Sequence, residues 1–62
     1  MEHIETIEFQ TDAGDENIVL HVQRSRNRDA ILIIESSKNP SMIILPAEPG
    51  RRLANAILRA LT

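Results

Sequence analysis

The chain has 62 residues, a formal net charge of −2, no cysteine and one aromatic residue, Phe9. A chain this short forms one domain at most and buries only about 60% of its unfolded surface, so it usually leans on disulfides, a metal or a second subunit. The lack of cysteine excludes disulfides and thiolate metal sites.

The first predicted element is a strand over residues 3–10, "HIETIEFQ". Ile7 and Phe9 fall on one face; Ile4, Thr6 and Glu8 fall on the other. "TDAGDEN" follows as a turn, with Gly14 free to take a positive φ. "NIVLHVQR" is the second strand, with Ile18, Leu20 and Val22 on one side and Val19, His21 and Gln23 on the other. "SRNRD" turns the chain into "AILIIES", which is apolar on both faces. "SKNPS" turns it again, with Pro40 at the corner, into "MIILP". β-Branched enrichment favours strand over helix for these runs.

The spacing predicts a four-stranded antiparallel meander. A second hairpin centred on Asn27 sets Leu20 and Val22 beside Ile34 and Leu32. A third centred near Lys38–Asn39 adds Ile43 and Leu45 to that face. The closing stretch, from Pro46 on, predicts a helix with Pro49 in its first turn, where a missing N–H costs nothing, and with Glu48 at its positive end. Leu53, Ala56, Ile57, Ala60 and Leu61 recur at helical spacing, and Ala54 and Leu58 widen the stripe. The expected fold is therefore α+β, a single domain over 1–62, ββββα, with the helix packed on one sheet face.

One helix covers one face. Val19, Ile31, Ile33, Met42 and Ile44 are then left over on the other, and an apolar patch of that kind marks an interface. These five residues are the candidate interface of a homodimer, formed sheet face to sheet face or through edge strands.

Charge is unevenly spread. Residues 1–16 hold six acids and no base; residues 17–62 hold all seven bases and three acids, so 7 − 3 = +4 locally. This reads either as a polar binding surface or as an acidic edge lying against basic neighbours. The longest apolar run, Ala30 to Ile34, is five residues, against about 20 for a membrane helix. No charged-then-apolar leader opens the chain. A cytoplasmic protein without a membrane partner is expected.

Groups for chemistry are sparse. His3 and His21 sit on different predicted strands with no ligand spacing, although His21 falls near Thr6 if the first hairpin pairs as supposed. Asp12, Asp15 and Glu16 surround Gly14 but lack the alternation and the distal glutamate of a calcium loop. Ser25, Ser36, Ser37 and Ser41 have no nucleophile elbow around them. Two glycines cannot build a phosphate-cradling loop by motif. No catalytic residue, metal or cofactor is predicted, and a non-enzymatic binding module is. A pocket completed by another chain, using His21 or Glu35, is a further reading.

Arg24, Arg26 and Arg28 are spaced by two in "RSRNR". At a hairpin tip such arginines can contact a partner or nucleic-acid phosphates, with Arg51, Arg52, Arg59 and Lys38 as candidates to extend the patch. The opposing observations are the net acidity and the lack of an aromatic platform for single strands.

The closing segment "ILPAEPGRRLANAILRAL" resembles the ends of small strand-then-helix proteins of actinobacteria and their phages, most of them without an assigned function. That resemblance covers about a third of the chain and implies fold more than activity. The order of four strands then one helix is similar to that of the transcriptional-coactivator family that binds single-stranded DNA as a dimer. That family's aromatic and basic sheet positions have no counterpart among the Ile and Val of this sheet.

Overall fold

The computed structural model describes residues 1–62. Four strands and one helix follow in the expected order: β1 Glu2–Gln10, β2 Asn17–Arg24, β3 Ala30–Ser36, β4 Ser41–Leu45 and α1 Ala47–Ala60. The strands form one antiparallel sheet in the order β1-β2-β3-β4. The fold is an α+β meander with a C-terminal helix that contacts the sheet.

Cross-strand partners share a face, so the register sorts the side chains. Ile7↔Leu20↔Ile34, Val22↔Leu32↔Ile43 and Ala30↔Leu45 lie on one side, together with Phe9↔Ile18. We call this the Leu32 face. The rows Thr6↔His21↔Ile33↔Met42 and Gln23↔Ile31↔Ile44 lie on the other, with Glu8↔Val19↔Glu35. We call this the Ile33 face. The β2–β3 register centres on Asn27, as the turn chemistry predicts. The β3–β4 pairing is displaced by two residues from the expected one: Leu32 meets Ile43, and Leu45 meets Ala30. A two-residue displacement keeps every side chain on its expected face. In β1 the pairing shifts between His3 and Glu5. That bulge takes Ile4 out of the alternation and puts His3, not Ile4, in line with Thr6.

The turns explain the strand ends. At the first, Gly14 N–H donates to Thr11 O at 2.8 Å, with Gly14 at φ 71°. At the second, Ser25 and Asp29 close a three-residue loop: Ser25 N–H donates to Asp29 O, and Arg28 N–H to Ser25 O, both at 3.0 Å. The Ser25 hydroxyl also accepts from Asp29 N–H at 3.0 Å. This loop type needs a left-handed residue in third place. Arg28 supplies it at φ 63°, where glycine is the usual choice.

Pro46 alone separates β4 from α1, with φ −56° and ψ 162°. Pro49 stands in the first helical turn beside Glu48, as expected. The helix meets the Leu32 face through Gly50, whose α-carbon sits where an added Cβ would lie 3.8 Å from Leu45 Cβ and 3.9 Å from Ala30 Cβ. Beyond that corner the helix leaves the sheet. Along its stripe Leu53 is 41% exposed, Ile57 50%, Leu58 62% and Leu61 78%. The expected packing exists, but it is confined to the first turns.

Secondary structure is complete and the core is not. The chain makes 39 backbone–backbone hydrogen bonds, near the roughly 0.7 per residue of ordinary folded domains. Only one residue, Ile31, is buried. The accessible surface is 5125 Å², whereas a compact monomer of this mass exposes about 4,000 Å². The radius of gyration is 12.7 Å, against about 10.5 Å for a compact chain of this length. The excess, about 1,100 Å² by the same scaling, is shared by both sheet faces and the helix stripe, with Met42, Ile43, Ile44, Ile57 and Leu61 among the exposed apolar side chains.

Candidate functional site

Strand β3 runs between two ends of different character. The β2–β3 turn, the end of β4 and the start of α1 meet at one. The β1–β2 and β3–β4 turns meet at the other.

The first end gathers arginines. Arg24 closes β2 and donates from Nη1 to Glu2 Oε1 at 3.1 Å, an exposed pair across the sheet edge. Arg26 and Arg28 stand on the turn with no carboxylate partner. The register places Arg28 beside the foot of the helix: Arg28, Ala30, Ala47, Gly50, Arg51 and Ala54 line one open groove of about 290 Å³. Arg28 and Arg51 therefore share a groove, and Arg51 is likewise unpaired. The structure joins one hairpin cation, Arg28, to one helix cation, pairs Arg24 with Glu2, and places Arg26 in a separate hollow beside that pair. Lys38 is not part of this cluster, because the meander carries it to the opposite end of β3.

The second end consumes its charges. Glu16, mostly buried, accepts from the Ser36 hydroxyl and lies 3.8 Å from Lys38 Nζ. Asp15 lies 3.7 Å from the same ammonium and accepts from Thr11 Oγ1 at 2.9 Å. The Ser36 oxygen in turn accepts from Lys38 N–H at 3.1 Å. Of the acidic residues around Gly14, Asp15 and Glu16 thus bind a lysine and a serine of the next hairpin, and Asp12 does not. This is the self-complementary arrangement, an acidic edge against a basic neighbour.

The Ile33 face is mixed. Val19, Ile31, Ile33, Met42 and Ile44 lie on it together, as the sequence predicts, with Met42 and Ile44 exposed at the β4 edge. Beside them the β1 bulge assembles a polar group that spacing did not reveal. Thr6 Oγ1 lies 3.3 Å from His3 Nε2 and 3.3 Å from His21 Nδ1. His21 Nε2 lies 3.1 Å from Glu35 Oε1, yet makes no directed hydrogen bond; the carboxylate sits off the N–H axis. We read this as a loose contact, since direction governs hydrogen-bond strength. Gln23 Oε1, on the same face, is buried without a donor. The pairing of Thr6 with His21 was legible in the hairpin. The addition of His3 was not, because it depends on the bulge. No group of three or more His, Asp or Glu side chains is close enough to hold a metal ion.

The surface hollows are shallow. The largest, about 440 Å³, runs along α1 from Pro49 to Arg59 and is walled by helix residues alone. Enclosed sites converge polar groups from several elements; this one has a single wall. No helix is long and apolar enough to cross a membrane. Comparison with protein-family models, with curated proteins and with solved structures finds no match to this chain.

Proposed function

We propose that this chain is a non-enzymatic binding module that works as a homodimer through protein–protein contact. The observation that supports it is the missing core: one buried residue in 62, under a complete set of backbone hydrogen bonds. Isolated sheets and short helices do not persist in water without a packed surface. The apolar side chains that would supply that surface are present but unpartnered. A second copy completes the core over the Leu32 face and the helix stripe, rather than over the Val19, Ile31, Ile33, Met42 and Ile44 patch expected from the sequence. That Ile33 face, with its unsatisfied Gln23 oxygen and exposed Met42 and Ile44, is left to receive another protein. Mixed apolar and polar surfaces of this kind are typical of non-obligate interfaces. The test is solution mass, by size-exclusion chromatography with light scattering across micromolar concentrations. A stable dimer is expected. A folded monomer throughout that range would sink the proposal.

A second reading rests on the arginine end. Arg28 occupies a left-handed conformation that a non-glycine residue holds at a cost of about 1–2 kcal/mol, and backbone strain gathers where function demands a particular side chain. With Arg51 it forms an unpaired cationic groove suited to phosphates, and Arg26 on the same turn adds a third unpaired cation nearby. This reading makes the dimer a nucleic-acid binder. Fluorescence anisotropy with single-stranded and duplex oligonucleotides at low salt tests it. Affinity should fall steeply with added salt; no binding at low ionic strength would remove this reading.

A further inference from the structure

Besides the Ile33 face, two further apolar surfaces of this chain lack partners. One is the Leu32 face. The other is the α1 stripe. They match in kind, yet their own connection keeps them apart. A helix that lies back over the strands it follows must reverse direction, and such reversals usually take several residues. Here the link is Pro46 alone, held extended at ψ 162°. The helix accordingly touches Ala30 and Leu45 and then departs, with exposure rising from Leu53 to Leu61.

We infer that two copies exchange helices: α1 of each lies across the Leu32 face of the other, seating Leu53, Ile57 and Leu61 against Val22, Leu32 and Ile43. This rests on the homodimer proposed above and specifies its geometry. Three observations carry it. The first is area. The excess surface of about 1,100 Å² per copy, shared with the Ile33 face, sets an upper bound of about 2,200 Å² for a pair by the same scaling, which reaches the size of an obligate interface. The second is charge. On β1, Glu2 is engaged by Arg24 and Glu8 lies on the Ile33 face, which leaves Glu5 free of any cation on the Leu32 face, while α1 carries Arg51, Arg52 and Arg59 against Glu48. Within one chain these elements flank opposite edges of the sheet; across a two-fold axis the basic helix reaches the acidic strand. Glu5, paired with Val22, stands on the face that receives the helix. The third is symmetry. An exchange of identical arms is reciprocal, so one contact made twice closes the assembly with no surface left for a third copy.

The absence of cysteine makes the test direct. An Ile57→Cys chain is mixed with a Leu32→Cys chain of distinguishable mass and oxidised gently, after light scattering has shown each reduced variant to keep the wild-type mass. The expected product is a mixed disulfide dimer, at several-fold higher yield than from Ile57→Cys mixed with Met42→Cys, whose cysteine lies on the opposite face. A wild-type chain that is monomeric overturns both this inference and the homodimer. A dimer that cross-links through Met42, or not at all between residues 57 and 32, keeps the homodimer and removes the exchange. Cross-linking that occurs only when both cysteines are in one chain shows a helix folded back on its own sheet, and also removes the exchange.

Discussion

The two ends of the sheet carry charge in opposite ways. At the Gly14 end, Asp15, Glu16, Ser36 and Lys38 satisfy one another, and every group belongs to the joint between two hairpins. At the Asn27 end, Arg28 and Arg51 share a groove, Arg26 stands on the same turn, and none of the three has a carboxylate partner. Both ends are tight turns with one residue at positive φ. The Gly14 end gives that place to glycine and the Asn27 end to arginine. Where the backbone is relaxed and the charges are paired, the residues serve the fold. Where an arginine holds a strained position and stays free, the residues are available to a ligand.

That contrast can be broken by substitution, since changes at the Gly14 end should cost stability and changes at the Asn27 end should cost binding. The largest effect is expected from replacing Arg26, Arg28 and Arg51 together by alanine. Low-salt oligonucleotide affinity should drop more than about tenfold, as three phosphate contacts are lost, while the urea midpoint stays put or rises. Glu16→Ala comes next. It leaves the Ser36 hydroxyl without its acceptor and Lys38 with Asp15 alone, and should destabilise by about 1–2 kcal/mol in urea unfolding. Gly14→Ala should cost about 1 kcal/mol; the space around an added Cβ is open, so the penalty is the φ of 71° itself. Arg28→Gly should act with the opposite sign and stabilise by up to about 1 kcal/mol through release of the left-handed strain. A loss of stability there would show that the Arg28 side chain serves the fold, and the contrast would fail. Lys38→Ala should be smallest, under about 0.5 kcal/mol, because both of its contacts are long and its ammonium is exposed.

Local chemistry made most of the sheet legible in advance. Ser25, Asn27 and Asp29 define a short turn, so the β2–β3 register follows from the turn and the alternation together. The β3–β4 turn has only Pro40, which stands next to β4 rather than at the corner, and its register is off by two residues, although the faces survive because side chains alternate with period two. The β1 bulge was illegible. Only an uneven alternation in "HIETIEFQ" hinted at it, and the His3–Thr6–His21 grouping depends on it. The arginine run was legible as a run but not as a site. Arg51 joins it through the path of the helix, and Arg24 leaves it through Glu2; neither is a local property of the sequence. The helix itself was plain from its stripe. What the stripe rests on was not, because amphipathic spacing demands an apolar surface without saying in which molecule it lies.

Pro46 also has a consequence for stoichiometry. In a helix-exchanged dimer, the number of residues between β4 and α1 decides how many chains make one core. A few flexible residues inserted after Leu45 would let the helix reach its own sheet, at an effective concentration of millimolar order. The same side chains would then close within a single chain. In that dimer, with Pro46 alone as the link, folding and association would be one reaction, stability would depend on the protein's own concentration, and dilution would unfold it.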